Sequence, residues 1–244
     1  NKKLGEYSMG RAFEYRKAAK MKRWGNMSRV FPKLAKAITM AAKAGSSDPD
    51  SNATLRSAIT TAKAQNLPKD NIEAAIKRAS AKDVANMAEI NYEGKWKHGV
   101  LIFVETATEN TARTVANIKT LFNKGGGSLV PTGSLEFHFD RRAIFEMKTP
   151  DMDIDELEME LIDAGLEEIK VEDDENISII ADYTDFGNIS NKLHEMELEY
   201  EKGTLARVPN APIEITDQQM EELSVLLDKI EDDDDVQNVY TNLA

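Results

Sequence analysis

Asn66-Leu67-Pro68-Lys69-Asp70-Asn71-Ile72-Glu73-Ala74-Ala75-Ile76-Lys77-Arg78-Ala79 reads as a short helix with a legible start, buried face and charged flanks. Pro68 suits a first helical turn, where its missing N–H would have had no partner, and Asp70 with Glu73 has the spacing of a capping box. Ile72, Ala75, Ile76 and Ala79 fall at i, i+3, i+4 and i+7 and make one apolar stripe, leaving Lys69, Lys77 and Arg78 at its edges and outside. Such cations either bind an acidic ligand or complement the negative end of the helix dipole.

The stretches just upstream favour the first reading. Ser28 to Ala44 places Phe31, Leu34, Ile38, Ala41 and Ala42 on one side of a helix and Arg29, Lys33, Lys36 and Lys43 on the other. A solvated outer face usually mixes Glu with Lys to gain i,i+4 pairs, yet this segment holds no acidic residue. Asp48-Pro49 opens a further helix in which Leu55, Ala58, Ile59 and Ala62 repeat the apolar spacing, while Arg56 and Lys63 share another face. Residues 26–82 thus read as a three-helix module whose Ala-rich stripes allow close approach. Residues 1–25 form a basic arm with Arg16, Lys17, Lys20, Lys22 and Arg23 interleaved with Phe13 and Tyr15; it is either a solvated tail or an arm that orders on phosphate. Met9 reads as a natural start, and Asn1 to Ser8 as an extension without a function.

Charge separates this region from the rest. From Asn1 to Lys82 there are eighteen Lys and Arg against six Asp and Glu, while the remainder carries thirteen against thirty-seven, in a chain whose formal net charge is -12. That asymmetry points to a basic module that meets a polyanion, joined to acidic domains that do not.

After Glu89 the hydrophobic period changes. Gly99 to Thr106 reads as a buried strand, Asn110 to Phe122 as a helix with Val115, Ile118, Leu121 and Phe122 inward, and Leu135, Phe137 and Phe139 as one face of a half-buried strand. Gly125-Gly126-Gly127 lacks the Gly-Lys-Ser/Thr ending of a phosphate loop and follows a helix, so it reads as a helix-to-strand connection. Residues 142–209 give strand, helix, strand, strand, helix, strand, the order of a ferredoxin-like sandwich. Ile213 to Ile215, a helix over Asp217 to Ile230 and a strand over Val236 to Tyr240 would complete the domain begun at residue 83. The expected fold is therefore α+β: a helical module, an α+β domain from 83–141 plus 210–244, and a second one inserted as 142–209.

The chain has no cysteine, which removes disulfides and thiolate metal sites and fits a reducing cytoplasm. No apolar run reaches the ~18 residues of a membrane span, so no membrane partner is expected. His98, His138 and His194 stand apart and no nucleophile sits in a recognisable elbow or triad context, so neither enzyme chemistry nor a cofactor is implied. The acidic runs Glu172 to Glu175 and Glu231 to Asp235 lack the spacing of a calcium loop and read as solvated turns that repel nucleic acid.

Taken together, Arg16-Lys17-Ala18-Ala19-Lys20, Leu34 to Ile38 with Ala41-Ala42-Lys43, Asp48-Pro49, Leu55-Arg56, Leu67 to Ile72 and Ala75 to Arg78 resemble the N-terminal signature of the YebC family. Tyr92-Glu93-Gly94, Gly99-Val100, Thr108 to Thr114 and Asp235 to Tyr240 extend the resemblance over nearly the whole chain. The likeness implies three domains, the last inserted in the second, and a role as a transcriptional regulator; related mitochondrial proteins are translational activators of cytochrome oxidase. Members often open with Met-Ala-Gly-His-Ser-Lys-Trp, whereas this chain has Met9-Gly10-Arg11-Ala12-Phe13, so a nucleic-acid role for that opening does not carry over. The sequence reading is a DNA-binding regulator gripping phosphates through the cations named above. An RNA- or ribosome-associated translation factor is the alternative, and a protein-binding module using the acidic domains a lesser one.

Overall fold

The computed structural model describes residues 27–81, 87–173 and 175–244. Three helices come first: α1 (Met27–Ala44), α2 (Ala53–Ala64) and α3 (Lys69–Arg78). Next follow β1 (Ala88–Lys95), β2 (Leu101–Thr108), α4 (Thr111–Lys124) and β3 (Ser128–Val130). A βαββαβ run succeeds them: β4 (Phe139–Lys148), α5 (Ile154–Ile162), β5 (Leu166–Val171), β6 (Asn176–Asp182), α6 (Phe186–Glu195) and β7 (Lys202–Pro209). The chain then adds α7 (Asp217–Glu231) and β8 (Val236–Thr241). The strands form two sheets, ordered β3-β1-β2-β8 and β5-β6-β4-β7. The fold is thus α+β, with helices ahead of two α+β domains and the second inserted into the first. Two compact units contain these elements, one with 27–30, 87–140 and 208–244 and the other with 31–81 and 141–207.

In the first unit β1 and β2 are a hairpin in which Ala88 faces Thr108 and Lys95 faces Leu101, and these two strands are the centre of the sheet. One sheet face packs Tyr92, Ile102 and Val104 against Ile118 and Phe122 of α4 and Leu223, Leu226 and Leu227 of α7. The other face buries Phe103 under Leu135 and Phe139. Two expectations fail here. Helix α4 buries Thr114, Ile118 and Phe122 while Val115 is 41% exposed, because the Thr114 hydroxyl bonds to Asp235 (2.8 Å) and turns the helix toward it. Phe137 does not alternate inward with its neighbours: Glu136–His138 form a 3-10 turn that leaves Phe137 89% exposed between buried Leu135 and Phe139. The three glycines join α4 to β3, and a Cβ on Gly127 would stand 2.9 Å from the Lys95 carbonyl oxygen, so that position needs glycine for close backbone approach.

The second unit has the strand order of a ferredoxin-like sandwich, its core formed by Phe145, Met147, Ile177 and Ile179 under Leu157, Leu161, Ile189 and Leu193. Helices α1 to α3 enclose a smaller core of Ile38, Ala41, Ala42, Leu55, Ala62, Leu67, Ile72 and Ala75. Buried Thr39 reaches from α1 to the Ala75 carbonyl (2.8 Å). Asn52 caps α2 by accepting from the Leu55 N–H (3.0 Å), while its amide donates to the Ala41 and Ser46 carbonyls at the end of α1.

Helix starts also differ from the sequence reading. Pro68 is the cap residue of α3 and no side chain caps it; its carbonyl accepts from Asn71 and Ile72, which leaves Asp70 to complement the dipole in the first turn. Asp48-Pro49 opens the 3-10 turn Pro49–Ser51 instead of α2. A capping box does occur, at Thr216 and Gln219 before α7. Among the described residues no helix is long and apolar enough to cross a membrane.

Gly94 lies under the Phe122 ring, where an added Cβ would overlap three ring atoms. Gly94→Ala should therefore lower unfolding free energy by about 1–3 kcal/mol through overpacking. Gly187, in α6 with open space around it, is the control: Gly187→Ala should be neutral or gain up to about 1 kcal/mol. Urea unfolding of both variants, with unchanged m-values, checks this pair.

Candidate nucleic-acid interface

Helix α1 carries the cationic stripe. At about 100° per residue Arg29, Lys33, Lys36 and Lys43 fall within roughly 80° of one another, centred opposite Ile38. Ile38, Thr39, Ala41 and Ala42 are buried, Arg29 and Lys43 are exposed, and Lys33 and Lys36 are half-buried. The helix contains no acidic residue, so no i,i+4 pair neutralises the stripe from within. From Arg29 to Lys43 it extends about 21 Å, the length of some six base-pair steps of duplex. Arg29 has a local partner, with its guanidinium 2.8 Å from Asp232 and both side chains open to solvent, an arrangement worth little in water.

On α3, Lys69, Lys77 and Arg78 are exposed, but their surroundings are mixed: Lys69 lies 3.6 Å from Glu73, and Asp70 shares the first turn. Arg56 is turned inward. Its guanidinium donates to Ser190 Oγ (3.0 Å) and Asn191 Oδ1 on α6 and to the Pro49 and Asp50 carbonyls, so it fastens α2 to the sandwich and is not part of an outward basic surface. Beside it Ser57 Oγ donates to the Gly203 carbonyl (2.8 Å). Arg16, Lys17, Lys20, Lys22 and Arg23 lie outside the described residues.

Two buried carboxylates escaped the sequence reading. Asp235, the last acid of a run read as solvated, is 4% exposed; it accepts from Thr114 Oγ1 (2.8 Å), Thr108 Oγ1 (3.2 Å) and the Arg113 guanidinium (2.8 Å). The hydrogen bond to Asp235 holds Arg113 more firmly protonated, and burial followed by the same charge pushes the Tyr92 hydroxyl above its ordinary pKa. Glu93, 1% exposed, accepts from the backbone N–H groups of Gly133 (2.7 Å) and Leu135 (2.6 Å). Part of the signal was present: Glu93 lies inside a strand between Tyr92 and Gly94, whereas Asp235 ends an acidic run directly before the strand that opens at Val236. Among the described residues no group of His, Asp and Glu is arranged to hold a metal ion.

Residues 11–82 match the TACO1/YebC protein N-terminal domain, and residues 87–243 match the TACO1/YebC second and third domain. The chain belongs to the TACO1/YebC family. A protein of Campylobacter curvus is 57% identical over 235 residues, covering 96% of this chain and all of that one. Another, from Sulfurimonas denitrificans, is 56% identical over 237 residues, with 97% and 100% coverage. Both are named "Probable transcriptional regulatory protein". The crystal structure of a conserved hypothetical protein from Aquifex aeolicus superposes with a TM-score of 0.76 at 28% identity, over 91% of this chain and 93% of that one. In this TACO1/YebC chain both buried acids are held by donors of the first unit.

Asp235→Ala would remove the buried carboxylate that Thr108, Thr114 and Arg113 share and should cost about 1–3 kcal/mol in chemical denaturation. Glu221→Ala, on the exposed side of α7, should stay within about 0.5 kcal/mol of the parent.

Proposed function

We propose that this protein is a nucleic-acid-binding regulator of gene expression, gripping the phosphates of duplex DNA with its N-terminal helices. The supporting observation is the stripe of Arg29, Lys33, Lys36 and Lys43 on a helix without a carboxylate, in a chain whose remainder is strongly acidic. Lys69, Lys77 and Arg78 of α3 would add flanking charge, and Arg16, Lys17, Lys20, Lys22 and Arg23 would extend the same chemistry along the strand. Arg56 is left out because its guanidinium already binds Ser190 and Asn191. The names of the relatives support transcription as the setting.

The chemistry of the stripe favours backbone over base recognition. Base edges in the major groove are read by Arg or Lys at guanine and by Asn or Gln at adenine; the stripe holds no Asn or Gln, and three of its four residues are lysine. Lysine acts on phosphate as a mobile point charge, which gives affinity and register with little sequence preference. Acidic surfaces elsewhere would keep the polyanion on the helical side.

Changing Lys33 and Lys36 together to Gln should leave unfolding free energy within about 1 kcal/mol, as surface changes usually do. Affinity for duplex DNA should fall evenly across sequences, and the slope of log affinity against log salt should flatten by about 0.9 for each phosphate that the variant no longer neutralises. A change near 0.7 per phosphate together with tighter binding to single strands would move the assignment to RNA or a ribosomal site. An unaltered slope and affinity would remove these lysines from the interface.

A further inference from the structure

Carboxylates are unevenly placed in the first unit. From Asn110 to Leu135, through α4, its glycine connection and β3, there is no Asp or Glu, in a chain that has 43. Only Tyr15 to Ser47, which includes the α1 stripe, runs longer without an acid. Ion pairing marks the same place. Most Lys and Arg beyond Lys82 hold a carboxylate, as Lys97 holds Glu222 (3.4 Å) and Arg113 holds Asp235 (2.8 Å). Lys95, Lys119 and Lys124 are exposed and have no ion pair among the described residues. Lys229 shares that state, but it lines a recess with Asp232 and Asp233.

Helix α4 packs on β1 and β3, and α7 packs on α4 and β8. The acids of α7 and of the turn after it therefore border one flank of α4, where the Asn117 amide donates to Asp233 (3.3 Å). On the flank away from α7, Ala112, Ala116, Lys119 and Asn123 are exposed and fall within about 60° of one another at about 100° per residue. Lys124 ends the helix, and Lys95 lies across the glycine connection, opposite Ser128 in the sheet. The nearby acids stand apart from this flank. Glu109 precedes the N-cap, roughly two and a half turns before Lys119, and Glu136 follows the stretch. Glu93 is 1% exposed and is taken up by the Gly133 and Leu135 N–H groups.

This arrangement selects the ligand. The Gly125, Gly126 and Gly127 N–H groups already donate to the Leu121, Asn123 and Phe122 carbonyls, so no backbone cradle waits for a single phosphate. Lys119 and Lys124 stand about 7.5 Å apart along the axis and roughly 140° around it, too divergent to converge on one small anion. Protein interfaces are depleted in Lys and Ala and enriched in aromatic residues, the reverse of this flank. Spaced ammonium groups with an amide and small side chains between them instead match a run of phosphates, which Lys and Asn side chains contact along a nucleic-acid strand. The helix dipole accounts for Lys124 in the last turn, but its pull fades within that turn and leaves Lys119 unexplained.

We infer that Lys119, Asn123 and Lys124, with Lys95 beside them, form a second contact for the sugar–phosphate backbone of the nucleic acid proposed to bind α1. This site rests on the nucleic-acid function proposed above. It gives the first α+β domain, expected from its charge to stay clear of a polyanion, a share in binding.

The test uses the full chain and one duplex DNA, with RNA of the same sequence in parallel. In Lys119→Gln/Lys124→Gln the slope of log affinity against log salt should flatten by about 0.9 for each duplex phosphate lost, or about 0.7 on a single strand, at an unchanged melting temperature. Lys119→Arg/Lys124→Arg should keep the parent slope. Lys148→Gln/Lys192→Gln, which makes the same change in net charge at lysines held by Glu175 and Glu160, should keep it too. A photoactivatable phenylalanine analogue at Asn123 should cross-link to the bound nucleic acid, and the same analogue at exposed Glu221 of α7 should not. An unaltered slope in Lys119→Gln/Lys124→Gln, beside a flattened one in Lys33→Gln/Lys36→Gln, would overturn the second contact and leave the proposed function standing. Equal flattening in the Lys148→Gln/Lys192→Gln control, or no cross-link from position 123, would overturn it as well. So would a lower melting temperature with an unaltered slope, the mark of a Lys124 that only complements the helix end. A parent chain that binds neither duplex nor RNA would overturn the proposed function and this site together.

Discussion

The guanidinium of Arg56 is the fixed point of the second unit. It leaves α2, gathers two backbone carbonyls of the Pro49–Ser51 turn, and ends on Ser190 and Asn191 of α6. Ser57, one residue on, is buried against Gly203, where any Cβ would collide with its hydroxyl. The core of the three helices is small and rich in alanine. Such a core contributes modest hydrophobic stabilisation, roughly 25 cal/mol for each Å² of apolar surface buried. Seating α2 on the sandwich extends the buried surface that the helices share. The placement of α2 in this unit therefore depends on hydrogen bonds to α6 and to Gly203 of the inserted domain.

The first unit is organised by buried carboxylates. Asp235 links the start of β8 to the end of β2 and the first turn of α4, and Glu93 links β1 to the turn that displays Phe137. Each acid accepts hydrogen bonds from protein donors, which offsets the cost of taking a charged group out of water. Both act at places where the chain changes direction, so their role is to fix loops against the sheet. The acidity of this unit is thus divided between exposed charge, which repels polyanions, and two internal groups with an architectural role.

Most of the fold was legible because it follows from period and punctuation. The apolar spacing of Ile38, Ala41 and Ala42, the alternation of Ala143, Phe145 and Met147, and the glycines after α4 each have one structural solution. What was not legible depended on side-chain hydrogen bonds between residues far apart in sequence. Val115 looked inward by hydropathy, but Thr114 took its place because Asp235, over a hundred residues away, offered an acceptor. Arg56 counted as one more cation until Ser190 and Asn191 came into reach. Phe137 satisfied the alternation of a strand, and nothing local announced that Asn210 and Glu93 would fold the backbone into a turn. The basic stripe on α1 was readable because it is a one-dimensional property of a single helix.

The hydrogen bond from Asn210 N–H to the His138 carbonyl bears on the order in which the chain can fold. It joins the two crossings between the domains, and β4 and β7, the first and last strands of the insertion, are neighbours in their sheet. An unfolded insertion would separate Asp140 from Val208 by a loop of 67 residues, Arg141 to Arg207; a folded one presents its two ends side by side, as a connection of only a few residues would. On a chain-closure scale of (3/2)RT ln n, that difference is about 2–3 kcal/mol. A sandwich that forms first therefore acts as a clasp for the discontinuous domain, so that β8 meets β2 at a closure cost typical of a short loop instead of a long one.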